Sequence, residues 1–294
     1  MRIWLTLICA FNILSSTIAQ NTVMSSNDSL EFWSDVMFNA HLGKSRGMAS
    51  KQTLNILTRL VESKHLDDTK LNPNIVKLKF ADQNIELYSW QCELDNNQFE
   101  YYGFVKKSDG TIESLTREVR DYNRIRTEEF NSTNWYGAVY YYLIPKTFGL
   151  DKYYVLFGFA QNENNEKFKI IETVKINNNE LIFGTPVFDI KDEDGESHTY
   201  NRQIIKYSQS VNCQLRYEEL DSMIVYDHII NYQDPIAPQI QNYFPDGSYE
   251  AFEYSQNQWK FISKLKTESV KDAPREKPVL DNKTKDLLGR EKKK

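Results

Sequence analysis

The sequence predicts a mainly β protein of the α+β kind. Its body is an antiparallel multi-strand meander, with sandwich, barrel and propeller-like arrangements all open, preceded by a short N-terminal αα-hairpin. Three observations predict this. Apolar residues between Leu30 and Val61 recur at helical spacing, and beyond Pro73 the period changes to two. Clusters of Asp, Asn and Gly then punctuate the chain at hairpin intervals. Tyr and Phe, 18 and 16 of the 294 residues, favour ordered strands over disorder.

Residues 1–19 read as a cleavable signal peptide. Met1-Arg2 is a short positive start, Ile3–Leu14 an almost unbroken apolar run, and Ser15–Ala19 small and polar. Cleavage is expected between Ala19 and Gln20. The apolar run is too short to span a bilayer, and Ile8 before Cys9 does not suit a lipid-anchored cysteine. No later segment is apolar enough to cross a membrane, so the mature chain is expected to be exported and soluble.

Residues 20–72 form a leader and helical hairpin. Asp28 reads as an N-cap with Glu31 in capping-box position, and Leu30, Trp33, Met37 and Ala40 share one face. Gly43 and Gly47 read as breakers, with a second helix from Ser50 burying Leu54, Leu57, Leu60 and Val61.

Residues 73–263 form the all-β body. Strands are expected at 75–80, 85–93, 99–106 and 111–115, then a charged irregular stretch from Arg117 to Phe130. They resume at 135–144, 153–159, 168–176, 181–188, 202–207, 213–217, 223–230, 249–254 and 259–262. Asp246-Gly247 reads as a hairpin turn. Residues 264–294 are a charged tail, expected to be disordered. It holds eleven basic and six acidic residues, which leaves residues 1–263 ten charges negative. So acidic a body argues against nucleic acid as a partner.

Several stretches of the body resemble a family of uncharacterised exported proteins from Bacteroidetes. They are Asn134–Tyr141, Tyr153–Gly158, Lys169–Glu172, Phe183–Phe188, Leu215–Tyr217, Met223–His228 and Pro245–Phe252, in that order. The resemblance covers residues 75 to 262. It implies an all-β fold and a Gram-negative envelope location: periplasmic, outer-membrane associated or secreted. It assigns no catalytic residue.

Candidate chemistry is sparse. There is no G-x-S-x-G, no Cys-x-x-Cys and no His pair at i, i+4. His228 is the candidate catalytic residue; Asp227 beside it points to the opposite strand face, so the two are not a dyad. Asp192, Asp194 and Glu196 are candidate calcium ligands, but their spacing matches no complete calcium loop and the pattern favours a solvated hairpin tip; no other cofactor is implied. Tyr101, Tyr140 and Tyr142 are candidates for an aromatic binding surface, although strand alternation sends some of these rings to the core. Cys92 and Cys213 either form a disulfide, worth about 4–5 kcal/mol in the chain-entropy model, or stay free and buried. These observations favour a non-catalytic binding or assembly protein with a protein or glycan partner. The alternative is an extracytoplasmic hydrolase acting on glycans or peptides.

Overall fold

The computed structural model describes residues 24–148, 151–191, 195–233 and 241–265. The expected signal peptide with Ala19 and Gln20, the loop residues Asp192 and Asp194, and the tail from residue 266 lie outside them.

Two helices open the described chain, α1 (Ser26–Asn39) and α2 (Gly43–Glu62). The cap of α1 is Ser25 rather than Asp28. Ser25 Oγ accepts the Asp28 N–H at 3.1 Å and donates to Asp28 Oδ2 at 2.7 Å, so Asp28 is the reciprocal member of the capping pair. Gly43 and Gly47 do not break the chain but lie in the first turns of α2. Neither residue has a side chain to hold off the loop at Leu94–Asp95; a Cβ on Gly43 would stand 2.2 Å from Asp95 N. Asp95 Oδ1 accepts the Gly43 N–H at 2.8 Å and caps a helix whose own Leu42 makes no side-chain cap.

Fifteen strands follow among the described residues: β1 (Val76–Phe80), β2 (Ile85–Glu93), β3 (Phe99–Lys106), β4 (Ile112–Ser114), β5 (Val139–Phe148), β6 (Asp151–Gln161), β7 (Glu166–Asn177), β8 (Glu180–Phe183), β9 (Phe188–Lys191), β10 (Ser197–Tyr200), β11 (Arg202–Ser208), β12 (Leu215–Glu218), β13 (Met223–Gln233), β14 (Gln241–Ser255) and β15 (Gln258–Ile262). The protein is mainly β, as its periodicity predicts, and none of its sheets closes on itself. β15 runs parallel to β9.

The chain divides into two compact units. The first runs to Pro186 and takes in Asn201–Ile205; the second is Val187–Tyr200 with the chain from Lys206 onward. The single β-body expected from turn spacing is thus split, and the helical hairpin belongs to the first unit. The predicted strand at 181–188 breaks at Gly184, whose φ of +102° suits glycine, and its halves β8 and β9 join different sheets.

The first unit has three layers. β1-β2-β3-β4 form an antiparallel sheet whose two faces are both buried. Alternation along β2 sends Tyr88, Trp90 and Cys92 toward Leu30, Met37, Leu57 and Leu60 of the helices. The other parity, Ile85 and Leu87 with Tyr101 and Val105 of β3, meets Tyr154, Leu156 and Ile170 of the second sheet. That sheet runs β11-β7-β6-β5, with β8 also on β7. Asn residues in left-handed conformation make its turns and those of the first sheet, among them Asn84, Asn96, Asn165 and Asn179.

The second unit is built on one six-stranded sheet, β10-β9-β15-β14-β13-β12. β10 was not legible in sequence: Ser197–Tyr200 has no apolar alternation, and its strand is defined by pairing with β9.

Candidate functional site

His228 gains its partner from a bulge. On β13, Asp227 and Ile229 are two positions apart, whereas their β14 partners Tyr249 and Pro245 are four apart. Asp246-Gly247-Ser248 therefore stand against His228 alone, with Gly247 at φ +86°. The expected hairpin turn is this bulge inside one long strand. It aims Asp246 Oδ2 at His228 Nδ1, 3.0 Å away, while Asp246 Oδ1 accepts Ser248 N and Oγ at 2.8 and 2.7 Å. The Ser248 contacts, helped by His228, pull the Asp246 carboxyl down to about 2. Glu250 Oε1 lies 3.9 Å from His228 Nε2, and burial pushes its carboxyl upward. Asp227 turns away, as alternation requires, and accepts the Gln214 N–H at 2.7 Å. Ser248 donates to Asp246 rather than to His228, so these two side chains do not form a hydroxyl–imidazole nucleophile pair.

The other candidates scatter. Tyr101 and Tyr140 are corrections to the aromatic surface: both are buried. Tyr101 Oη donates to Gln161 O at 3.0 Å and accepts the Gln161 N–H at 2.7 Å, which ties β3 to the end of β6. Tyr142 alone of the three is exposed, stacked on Phe157 at 5.2 Å. Glu196 is exposed just before β10. No three His, Cys, Asp or Glu residues close enough to share a metal ion occur among the described residues. Cys92 and Cys213 are buried thiols rather than a disulfide, one in each unit.

Two arrangements were missed by sequence reasoning. The first is a buried polar network in the first unit. Glu172 and Arg202 are both fully buried, with Arg202 Nε donating to Glu172 Oε2 at 2.8 Å. Tyr136 Oη donates to the same oxygen at 2.6 Å and accepts from Tyr140 Oη at 3.1 Å; Thr173 N–H donates to Glu172 Oε1 at 2.9 Å. The guanidinium also donates to Ile125 O and lies over the Phe130 ring at 4.8 Å. Burial pushes the Glu172 carboxyl upward, opposed by Arg202 beside it. Such a closed set of partners leaves nothing facing a substrate, so the network is structural.

The second is an open cleft of about 490 Å³ in the first unit. Its walls are the end of the β2–β3 turn with Gln98–Glu100, the irregular segment Arg117–Tyr122, and the β6–β7 turn at Gln161–Asn164. Asn97 Nδ2 donates to Asn165 Oδ1 at 2.9 Å and holds the two turns together. Arg117 lies over the Tyr101 ring at 4.8 Å and donates to Phe99 O at 2.6 Å. The Nε atoms of Arg117 and Arg120 have no hydrogen-bond partner among the described residues. Glu100, Asp121 and Glu163 face the same space. A charged stretch without clear periodicity gives sequence reading no hold, and by pattern this wall suits a loop or a short helix equally.

No family model, curated protein or solved structure matches this chain.

Proposed function

We propose that this chain is an exported, non-catalytic binding protein of the Gram-negative envelope, and that its first unit takes a glycan in the Arg117–Tyr122 cleft. The cleft carries the reading. Its volume suits a short oligosaccharide, and amides, guanidinium groups and carboxylates from three segments supply the donors and acceptors that hydroxyl groups need. Leu94, Phe99 and Val119 add apolar surface between these polar groups, against which a sugar ring can lie. Export rests on the pattern of residues 1–19 and on the family resemblance of residues 75–262; no helix among the described residues is long and apolar enough to cross a membrane.

The test is calorimetric titration of the purified chain with oligosaccharides from envelope polysaccharides. Arg120→Ala and Glu163→Ala are each expected to weaken binding about tenfold. No binding, or binding indifferent to both changes, defeats the glycan reading. Sequencing the exported protein's N-terminus is expected to start at Gln20, and retention of residues 1–19 defeats export by cleavage.

A second reading, a hydrolase, draws on Glu100, Asp121 and Glu163 along one cleft. Asp121 and Glu163 are both exposed, on a wall open to solvent. Glycan turnover lost in Glu163→Gln would establish the hydrolase instead.

A further inference from the structure

The long β13–β14 ribbon of the second unit outruns its neighbours. Along β13 the pairing with β12 reaches no farther out than Leu215 opposite Tyr226, and along β14 the pairing with β15 covers only Ala251–Ser255. From Ile229 and Pro245 outward, β13 and β14 pair only with each other among the described residues. The two outer edges of this arm differ. On the β14 side, Pro245 has no N–H, Tyr243 N–H donates to Ser208 Oγ at 2.9 Å, and Lys206 Nζ sits 4.0 Å from the Tyr243 ring. That edge is blunted and covered. On the β13 side, Ile229–Gln233 reads Ile-Ile-Asn-Tyr-Gln, without charge, Pro or Gly, on a body that is otherwise ten charges negative. Ile230 and Tyr232 are 40% and 48% exposed.

The backbone phase of this edge is fixed. Asp227 donates its N–H outward to Gln214 O at 3.3 Å, so two-residue alternation turns Ile229, Asn231 and Gln233 outward as well. We infer that Ile229–Gln233 pairs with the same strand of a second copy of this chain, antiparallel, about a twofold axis through Asn231. In that register the outward backbone groups of Ile229 meet those of the partner's Gln233, and Asn231 meets its own counterpart. Ile230 falls opposite the partner's Tyr232 on the same face, twice over, in the closer, non-hydrogen-bonded pairing. Each β-branched residue thereby meets an aromatic ring, a cross-strand pair that stabilises sheets. The segment is complementary to itself, as a twofold interface must be. A charged foreign strand would find no counter-charge on this edge, which is why the occupant is a second copy. The Asp246–Ser248 bulge lies where the ribbon leaves the sheet, a position at which bulges bend and twist a strand.

Sedimentation of the purified chain over a wide concentration range tests the inference. The native chain is expected to dimerise. Ile230→Lys with Tyr232→Lys sets like charges opposite one another and is expected to raise the dissociation constant at least about tenfold. Ile230→Lys with Tyr232→Glu sets opposite charges there and is expected to associate more tightly than the two-lysine variant. A native chain that stays monomeric, or equal association of the two double variants, overturns the inference. Amide exchange in the native chain provides the second measurement. Protection at Ile229 and Asn231 is expected to rise with protein concentration, and protection that ignores concentration overturns the pairing.

Discussion

Asp246 and His228 are clasped across the β13–β14 ladder, Oδ2 to Nδ1 at 3.0 Å, because three residues of one strand bulge against one of the other. The contact closes the point at which the long ribbon leaves its sheet.

The clasp has a sign in pH. Ser248 first, and His228 after it, lower the Asp246 carboxyl to about 2 when folded, so the stability these contacts contribute is present above the unfolded carboxylate value near 4. It is lost as pH falls through about 2. Asp246→Asn is expected to lower the melting temperature at pH 6, with the gap to the native chain closing by pH 2. An equal gap at both pH values would show that the carboxylate charge is irrelevant to the clasp.

The buried pair Glu172–Arg202 predicts a different pattern. Removing one partner, as in Glu172→Ala, strands a fully buried guanidinium, and breaking such a pair costs about 3–5 kcal/mol. Replacing both with apolar residues, Glu172→Leu with Arg202→Met, leaves no orphan charge and is expected to recover most of that loss. Urea denaturation measures both. A double variant as unstable as the single one would show that the pair's partners Tyr136 and Thr173, rather than the charge, set the cost.

The contrast between these two sites shows what the sequence could convey. Strand positions were legible because alternation is local: β2 and β3 begin and end where the pattern puts them. The Asn turns were legible because Asn tolerates a left-handed backbone at little cost. Register was not legible. Asp246-Gly247 is a sound turn signal by composition, and only its pairing against His228 reveals a bulge. Likewise Glu172 and Arg202 sit in ordinary strand patterns 30 residues apart, and sequence holds no sign that they share a core. Tyr140 was misplaced for a related reason: the bulge at Tyr141 shifts the parity of β5, and the Tyr140 ring packs over Gly158.

The thiols make a third prediction. Burial pushes the Cys92 thiol up to about 11, so at pH 8 about one molecule in a thousand carries the thiolate. Cys92 is expected to resist a disulfide reagent in the native chain and to react at once in denaturant. With both cysteines as buried thiols, a reducing agent is expected to leave the melting temperature unchanged. A fall on reduction would restore the disulfide that Cys92 and Cys213 offered as one alternative.

Two glycines one helical turn apart predict opposite outcomes. At Gly47 an added methyl meets only the Leu94 Cδ2 end of a flexible side chain, at 3.2 Å. Relief of the glycine penalty within a helix, about 1 kcal/mol, then outweighs a small adjustment, and Gly47→Ala is expected to stabilise. At Gly43 the same methyl meets backbone, 2.2 Å from Asp95 N and 2.6 Å from Leu94 C, which cannot swing aside. The loop must retreat, and with it goes the Asp95 carboxylate that caps α2. Overpacking costs about 1–3 kcal/mol and a lost cap about 1 kcal/mol, so Gly43→Ala is expected to destabilise despite the better helix former. Asp95→Ala separates the two losses, because it removes the cap and leaves the close approach intact. Denaturant midpoints that rank Gly47→Ala above native, Asp95→Ala below it and Gly43→Ala lowest would establish that the β2–β3 turn is seated on the helix by glycine; equal midpoints for the two glycine variants would refute it.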